Sequence, residues 1–303
     1  MVYRGKMKAY LLMFAPVFLL PCWMLSAGCW QTIPLNMVPD AVDDMYSGCT
    51  KEMEERVNKE YFKKELVGKF KTAWQNAAQC ANRPKAIGDE ALTKNHLKAI
   101  CAYTSDDVYE DFNYAVRTGG STYGSSFKYH SLHFWLTSAI QILKRNQQCH
   151  TTYRRVSRAF EGKVNDIIRF GVFASSSYDT DLSWFGRQTC YQITTCYGAY
   201  LRRYSSLGTA EREVLIPPYE KFKITHKYTS PHQFSGLTDC RVVFVLKSVE
   251  YQSNLNCKAA KNSNASSRPL RSSGTGLLVV PWVRTETDRE AAFSVHGPAC
   301  HRS

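Results

Sequence analysis

Two glutamates, Glu211 and Glu213, lie one residue apart between a small polar loop and an apolar run. In an extended strand, residues two apart point to the same side and lie roughly 6–7 Å apart, so both carboxylates would face one cleft with Arg212 turned away. Two carboxylates so placed raise each other's pKa unless a cation lies beside them. The pair predicts a site that handles positive charge. Glu52 and Glu54 have the same spacing, but in a helical segment such residues do not face each other.

The elements that must position these glutamates change in type along the chain. From about Tyr46 to Gln148 the hydrophobic pattern is helical, and the segment SLHFWLTSAIQILKRN places its apolar side chains on one stripe. From Cys149 to about Tyr251, runs such as IIRFGVFASS, YQITTCYGAYL, REVLIPPYEKFKITHKY and CRVVFVLKSVEY predict strands, because they are rich in β-branched and aromatic residues. Consecutive helices followed by consecutive strands favour an α+β domain over a doubly wound one.

The N-terminal segment predicts export. Three basic residues precede an apolar stretch from Ala9 to about Leu25, and small residues follow. This is the layout of a signal peptide over residues 1–28. A single transmembrane anchor is the less favoured alternative, because two prolines interrupt a run that is short for a span. Eleven cysteines fit an oxidising compartment, and no CxxC or HxxxH pair accompanies them, so we expect disulfides rather than a metal site.

The C-terminal segment and the net charge bear on partners and anchoring. After Cys257 the chain becomes polar, Ser-rich and basic, and it contains a glycosylation sequon at Asn264. The apolar run at 276–283 is too short for a lipid-anchor signal, so we expect a mobile tail over residues 258–303 and a freely secreted product.

The net charge of +13 is spread along the chain, which favours a solvated basic surface over a nucleic-acid site.

Three short motifs occur in a fixed order in the second half of the chain. They are Arg154 in CHTTYRRV, Ser175 and Ser177 in RFGVFASSS, and Glu211 and Glu213 in AEREVLIPP. Together they resemble the Arg, Ser-x-Ser, Glu-x-Glu signature of the vertebrate arginine-specific mono-ADP-ribosyltransferases. The likeness extends upstream through DDMYSGC, AYTSDDVYEDFNYAVR and YHSLHFWLTSAIQIL.

The resemblance implies one catalytic domain over residues 34–257. Its expected fold is an N-terminal helical layer followed by a mixed, mainly antiparallel β-sheet that binds NAD. Each motif is weak alone, whereas three in order on matching elements form a specific signal.

The resemblance also implies an activity. Such an enzyme breaks the bond between nicotinamide and ribose in NAD and passes ADP-ribose to an arginine side chain of a protein or a small guanidino compound. NAD is a co-substrate, and neither a prosthetic group nor a metal is expected. We expect a monomer. The alternatives are an NAD glycohydrolase, in which water replaces arginine, and an inactive secreted protein that binds partners through its basic surface.

Each motif residue has an implied role. Glu213 would stabilise positive charge that develops on the ribose. Glu211 would bind the incoming guanidinium, whose planar fork matches a carboxylate. Arg154 would hold a phosphate of NAD or the adjoining ribose. Ser175 would orient Glu213 and the nicotinamide ribose, with Ser177 in a supporting role.

Further residues are implied to touch NAD. Ser206 and Tyr103 resemble positions that contact NAD in the family. Trp184 or Phe185 would stack on nicotinamide, although a core aromatic is the more frequent role of such side chains.

The chain departs from the family pattern at two positions. Arg155 stands where the family usually has glycine after the signature arginine, and Val172 stands where it often has glutamine. Each departure is expected to weaken NAD binding, and neither removes a residue that the chemistry requires.

The resemblance also implies two disulfides, Cys49–Cys257 and Cys149–Cys196. The first would tie the helical start to the end of the sheet, and the second would brace the strand of Arg154. Cys80 with Cys101 is a further candidate pair. Cys190, Cys240 and Cys300 stay unassigned, and Cys22 and Cys29 lie within and at the edge of the predicted signal peptide.

Overall fold

The computed structural model describes residues 32–145, 147–229 and 234–260. The predicted signal peptide, the Asn264 sequon, Cys300 and the tail beyond residue 260 lie outside these ranges. Within them, no helix combines the length and the apolar character that crossing a membrane requires.

The first half of the described chain is a helical layer, as predicted. Its central helix begins where the Glu65 carboxylate accepts hydrogen bonds from the backbone N–H groups of His130 and Ser131, at 3.0 and 2.9 Å, which satisfies free donors of the first turn. This helix is buried on nearly all sides rather than along one stripe. The helices are α1 Thr50–Arg56, a π-helical turn Val57–Tyr61, α2 Phe62–Glu65, α3 Gly68–Cys80, α4 Lys94–Tyr103, α5 Tyr109–Thr118 and α6 His130–Lys144.

The second half of the described chain supplies nearly all of the strands. They are β1 Ile33–Pro34, β2 His150–Val156, β3 Phe160–Glu161, β4 Ile167–Ile168, β5 Ala174–Ser177, β6 Thr189–Thr195, β7 Ala199–Tyr200, β8 Glu213–Ile216, β9 Glu220–Tyr228 and β10 Val242–Tyr251. A short 3₁₀ helix, Ser183–Phe185, lies between β5 and β6.

Eight strands form one sheet in the order β4-β9-β10-β6-β2-β5-β8-β7. The β10–β6 pair is parallel, and the other neighbouring pairs of this sheet are antiparallel. Strands β1 and β3 form a separate parallel pair. The predicted α+β fold with a mixed, mainly antiparallel sheet is confirmed.

The segment REVLIPPYEKFKITHKY forms two strands rather than one. Strand β8 ends at Ile216, and β9 begins at Glu220 after a turn in which the Glu220 N–H donates to Pro217 O at 3.3 Å. Proline has no N–H for the ladder, so Pro217 and Pro218 end the first strand. Strands β8 and β9 are not neighbours in the sheet, because β10, β6, β2 and β5 lie between them.

Disulfides join distant parts of the described chain. Cys49–Cys257 and Cys149–Cys196 form, as the resemblance implies, and so does the candidate pair Cys80–Cys101. The fourth, Cys190–Cys240, joins β6 to the loop before β10.

The helical layer packs directly on the strand that carries the serine motif. Phe173, which precedes β5, lies with its ring 6.0 Å from that of Tyr103 and 5.5 Å from that of Phe112. All three side chains are fully buried. This contact fixes the position of β5 relative to helices α4 and α5.

Candidate active site

The three motif segments lie on adjacent strands. Arg154 is on β2, Ser175 and Ser177 are on β5, and Glu213 begins β8. The sheet order places β5 between the other two, and the register pairs Ser177 with Glu213. A cleft at this place is lined by residues of all three strands. Residues far apart in the sequence are therefore brought together by strand pairing.

Glu213 is almost withdrawn from solvent, with 5% of its surface exposed. Burial is the main cause that raises the pKa of its carboxyl to about 7. Hydrogen bonds from Ser175 and Ser205 lower this pKa. The charge of Glu211 raises the pKa, and the charge of Arg154 lowers it. The group is thus largely ionised above about pH 8. An ionised carboxylate in such a place is weakly screened and acts strongly on a nearby cation.

Glu211 lines the same cleft but does not lie on the strand of Glu213. Arg212, between them, has φ +42°, which is the left-handed region that side chains other than glycine rarely adopt. The prediction that both glutamates lie on one strand is wrong, because the chain turns at Arg212. The two carboxylates nevertheless share one cleft.

Arg154 lines the cleft and is held from two sides. Its Nη1 donates to Ser175 O at 2.6 Å, across the β2–β5 pair. Burial raises the pKa of Tyr109, on α5, while the charge of Arg154 and a hydrogen bond from it act in the other direction. The guanidinium is therefore anchored to both the sheet and the helical layer.

The serines of β5 fix the glutamate segment in place. The Ser176 hydroxyl donates to Val214 O at 2.9 Å. The Ser177 hydroxyl donates to Glu211 O at 2.6 Å and accepts from the Asp179 N–H at 2.9 Å. Ser177 thus holds the backbone of Glu211, and Ser175 acts on the Glu213 carboxyl.

Tyr103 and Ser206 do not line the cleft. Tyr103 is fully buried, and its hydroxyl donates to Phe173 O at 2.5 Å. The Ser206 N–H donates to Thr104 Oγ1 at 2.7 Å, and its hydroxyl donates to Thr104 O. Tyr103 thus binds the segment before β5, and Ser206 binds Thr104 at the end of α4.

One wall of the cleft is the loop 178–188, which we call the wall loop. Its residues Leu182 and Phe185 line the cleft, whereas Trp184 is 60% exposed and lies beside Phe185. A Cβ at Gly186 would meet the backbone of Val156 at 2.2 Å. The wall loop can therefore press against β2 only because residue 186 has no side chain.

The Arg155 side chain makes different contacts from the side chain of Arg154. Its guanidinium binds Asp239 through two hydrogen bonds, of 3.0 and 2.9 Å, and its Nε donates to Thr180 O at 2.8 Å. The second departure, Val172, packs against an apolar cluster of the sheet. Arg155 thus joins the wall loop to the loop before β10.

Sequence reasoning missed several residues around the cleft, among them Asp179, Tyr109 and Asp239. Asp179 lines it, Tyr109 contacts Arg154, and Asp239 binds Arg155. Asp179 follows the serine motif closely, which is the one local signal that points to it. The other two are found only when distant segments are folded together.

The described histidines that are buried have structural partners. Burial lowers the pKa of His133 to about 3, so the ring is neutral at neutral pH. Tyr46 lies with its hydroxyl 2.7 Å from Nδ1, and Val42 O lies 3.1 Å from Nε2. This assigns Nε2 as the donor and Nδ1 as the acceptor. In the part of the chain that the structure describes, no three His, Cys, Asp or Glu side chains group as metal ligands.

The family model described as NAD:arginine ADP-ribosyltransferase matches residues 35–235. The chain belongs to this family. The matched segment of this ADP-ribosyltransferase contains every motif residue of the cleft. The α+β fold and the family resemblance drawn from the motifs are both confirmed.

Known proteins are similar to this ADP-ribosyltransferase over most of the described chain. Ecto-ADP-ribosyltransferase 5 of Rattus norvegicus is 38% identical over 210 residues, which are 64% of this chain and 68% of that protein. Erythroblast NAD(P)(+)–arginine ADP-ribosyltransferase of Gallus gallus is 31% identical over 269 residues, 83% and 85% of the two chains.

Among solved structures, the eukaryotic mono-ADP-ribosyltransferase ART2.2 superposes with a TM-score of 0.63 at 31% identity, covering 74% of this chain and 98% of that one. Variants of ART2.2 have been solved in complex with NADH and with NAD.

Proposed function

We propose that this protein transfers ADP-ribose from NAD to the guanidinium group of arginine and releases nicotinamide. The observation that carries the proposal is the cleft, in which buried Glu213 lies with Arg154 and Glu211 in a chain of the NAD:arginine ADP-ribosyltransferase family. The cleft offers a cation for the phosphates of NAD and carboxylates for the two positively charged reaction partners.

Glu213 acts on the breaking bond. As the C–N bond between nicotinamide and ribose lengthens, its electron pair leaves with the nicotinamide nitrogen and positive charge grows on the ribose. The ionised carboxylate of Glu213 stabilises that charge, and burial keeps solvent from screening it. The charge of Arg154 and the hydrogen bond from Ser175 favour the ionised form.

Arg154 holds the phosphate side of NAD. Its guanidinium carries five N–H donors in a planar fork that matches phosphate oxygens. The hydrogen bond to Ser175 O keeps that head at the cleft. Phe185, in the wall loop, offers the nicotinamide ring an apolar surface.

Glu211 receives the acceptor. A carboxylate binds a guanidinium through charge-assisted hydrogen bonds, and the acceptor nitrogen then forms the new bond to C1′ of the ribose. The proton that this nitrogen loses passes to Glu211 and then to solvent. Ser177 holds the Glu211 backbone at 2.6 Å, so the carboxylate reaches out from a fixed point.

We assign this activity to residues 34–257 and infer an extracellular, freely secreted, monomeric enzyme. Four disulfides in the described chain favour an oxidising compartment. Expression in secretory cells tests the inference: the protein should accumulate in the medium with a glycan at Asn264. Protein retained on the cell surface and freed by a phosphatidylinositol-specific lipase would contradict free secretion.

Mass spectrometry of the refolded, oxidised protein with NAD and agmatine tests the activity. The parent should produce an ADP-ribosylated adduct and nicotinamide. Glu213→Gln should lose nicotinamide release, because a neutral amide stabilises the ribose cation far less. Glu211→Gln should lose the adduct and keep some NAD hydrolysis.

The control is Glu54→Gln, which alters the exposed Glu-x-Glu pair of α1 and should match the parent. Nicotinamide release without adduct from the parent would indicate a glycohydrolase. Folded parent protein that consumes no NAD would indicate an inactive binding protein.

A further inference from the structure

A guanidinium group of the chain itself already lies at the rim of the cleft. Arg212 Nη1 donates to Asp179 Oδ1 at 2.8 Å, and the guanidinium carbon lies 5.2 Å from the centre of the Tyr178 ring. A carboxylate and an aromatic face are the two groups that proteins commonly use to hold a guanidinium. The Arg212 side chain is 54% exposed, so this is a pair that solvent can reach.

The carboxylate of Asp179, which binds Arg212, lies in the same cleft as Glu211. Asp179 and Glu211 both line that cleft. The Ser177 hydroxyl joins their backbones, since it donates to Glu211 O at 2.6 Å and accepts from the Asp179 N–H at 2.9 Å. One serine of the motif therefore sets the positions of two carboxylates relative to each other.

We propose that Asp179 is a second carboxylate for the acceptor guanidinium and that Arg212 occupies its place as an internal competitor. The inference rests on the proposed transferase function and deepens it. A guanidinium has enough N–H donors to engage two carboxylates at once. When an acceptor arginine enters, it replaces Arg212 on Asp179, and one exposed ion pair is exchanged for another at little cost.

This arrangement makes Asp179 and Arg212 determinants of acceptor affinity, with opposite signs. Asp179 contributes a charge-assisted hydrogen bond to the acceptor. Arg212 blocks the Asp179 carboxylate until the acceptor guanidinium displaces Arg212. Neither residue is placed on the phosphates or the ribose, so affinity for NAD should not depend on them.

The test uses agmatine as the acceptor and measures its KM, the KM for NAD, and nicotinamide release without acceptor. Asp179→Asn should raise the KM for agmatine about tenfold, because a charged hydrogen bond is lost. Arg212→Gln should lower it about threefold, in keeping with the small free energy of an exposed ion pair. The double variant should behave like Asp179→Asn, because Arg212 acts only through Asp179.

Two controls and one rescue separate this effect from a general disturbance. Asp181→Asn, an exposed carboxylate of the wall loop, and Arg203→Gln, an exposed arginine of the β7–β8 loop that also carries Arg212, should leave the agmatine KM as in the parent. Asp179→Glu, which keeps the charge, should keep most of the affinity.

An agmatine KM within twofold of the parent in Asp179→Asn would overturn the inference, as would an equal effect of Arg212→Gln with and without Asp179. Parent protein that releases no nicotinamide would instead overturn the proposed function.

Discussion

The guanidinium of Arg155 donates hydrogen bonds to both carboxylate oxygens of Asp239, a residue 84 positions further along the chain. The same guanidinium donates through Nε to Thr180 O at 2.8 Å. Arg155 is buried, whereas Arg187, which also pairs with Asp239, is 63% exposed. The wall loop is thus tied to β2 through Arg155.

The Arg155–Asp239 pair should support NAD binding through the wall loop. Asp239→Asn leaves the buried guanidinium without its charge partner, so the loop that carries Leu182 and Phe185 loses its anchor. We expect the KM for NAD to rise about tenfold with a smaller change in kcat, which follows from losing ground-state contacts. Steady-state nicotinamide release measures both constants.

Two variants sharpen that measurement. Arg155→Lys keeps the charge but loses the paired geometry and should give an intermediate KM. Arg187→Gln removes the exposed partner of the same carboxylate and should match the parent. An unchanged KM in Asp239→Asn would show that other contacts of the wall loop suffice.

The pH dependence of nicotinamide release should follow Glu213. Burial raises the pKa of this carboxyl to about 7, and only the ionised form stabilises the ribose cation. The value of kcat/KM for NAD, which reports the free enzyme, should therefore rise through about pH 7 and level off above about pH 8. A profile that is flat from about pH 5.5 to about pH 9 would contradict this assignment.

Glu213 should also weaken the fold at alkaline pH. Its folded-state pKa lies above the ordinary value of 4.5, so its stabilising contribution is present below pH 4.5 and is lost as pH rises through about 7. Glu213→Gln removes the buried charge and should raise the free energy of unfolding by up to about 3 kcal/mol at pH 8.

At about pH 4 the same variant should gain nothing. Urea unfolding at the two pH values measures the difference, with Glu54→Gln as the exposed control. An equal gain at both pH values would indicate a packing effect instead of a charge effect.

His96 should make helix α4 sensitive to acid. The Thr93 N–H donates to His96 Nδ1 at 2.9 Å, and the His96 N–H donates to Thr93 Oγ1 at 3.4 Å, which together form a capping box. Burial lowers the pKa of His96 to about 4. Its contribution to stability is therefore present above pH 6.5 and is lost as pH falls toward 4.

Glutamine is an ordinary residue at this position of a capping box, so His96→Gln should keep the cap and remove part of that acid sensitivity. Unfolding free energies at about pH 7 and about pH 5 test this, with the exposed His226→Gln as the control. A variant whose stability falls as steeply as that of the parent would show that other groups cause the loss.

Local patterns predicted much of the fold. The helical first half and the strand-rich second half follow from hydrophobic spacing, which depends on near neighbours. The same patterns failed where one residue changed the backbone path. They did not predict the left-handed turn at Arg212, and they joined β8 to β9 across Pro217 and Pro218.

The candidate site divides in the same way. The order of motifs identified Arg154, Ser175, Glu211 and Glu213, and the cleft contains all of them. The order of motifs did not show that Tyr103 is fully buried and does not line the cleft, because burial depends on which surfaces meet after folding.

The sequence by itself determined the class of fold, the family and the types of side chain available for the chemistry, because these depend on residue identity and short spacing. Only the tertiary structure decided that β5 lies between β2 and β8, that Glu213 is buried deeply enough for its pKa to rise to about 7, and that Arg155 pairs with Asp239. Strand order, desolvation and long-range ion pairs arise from contacts between segments far apart in the chain, and local sequence patterns do not predict such contacts.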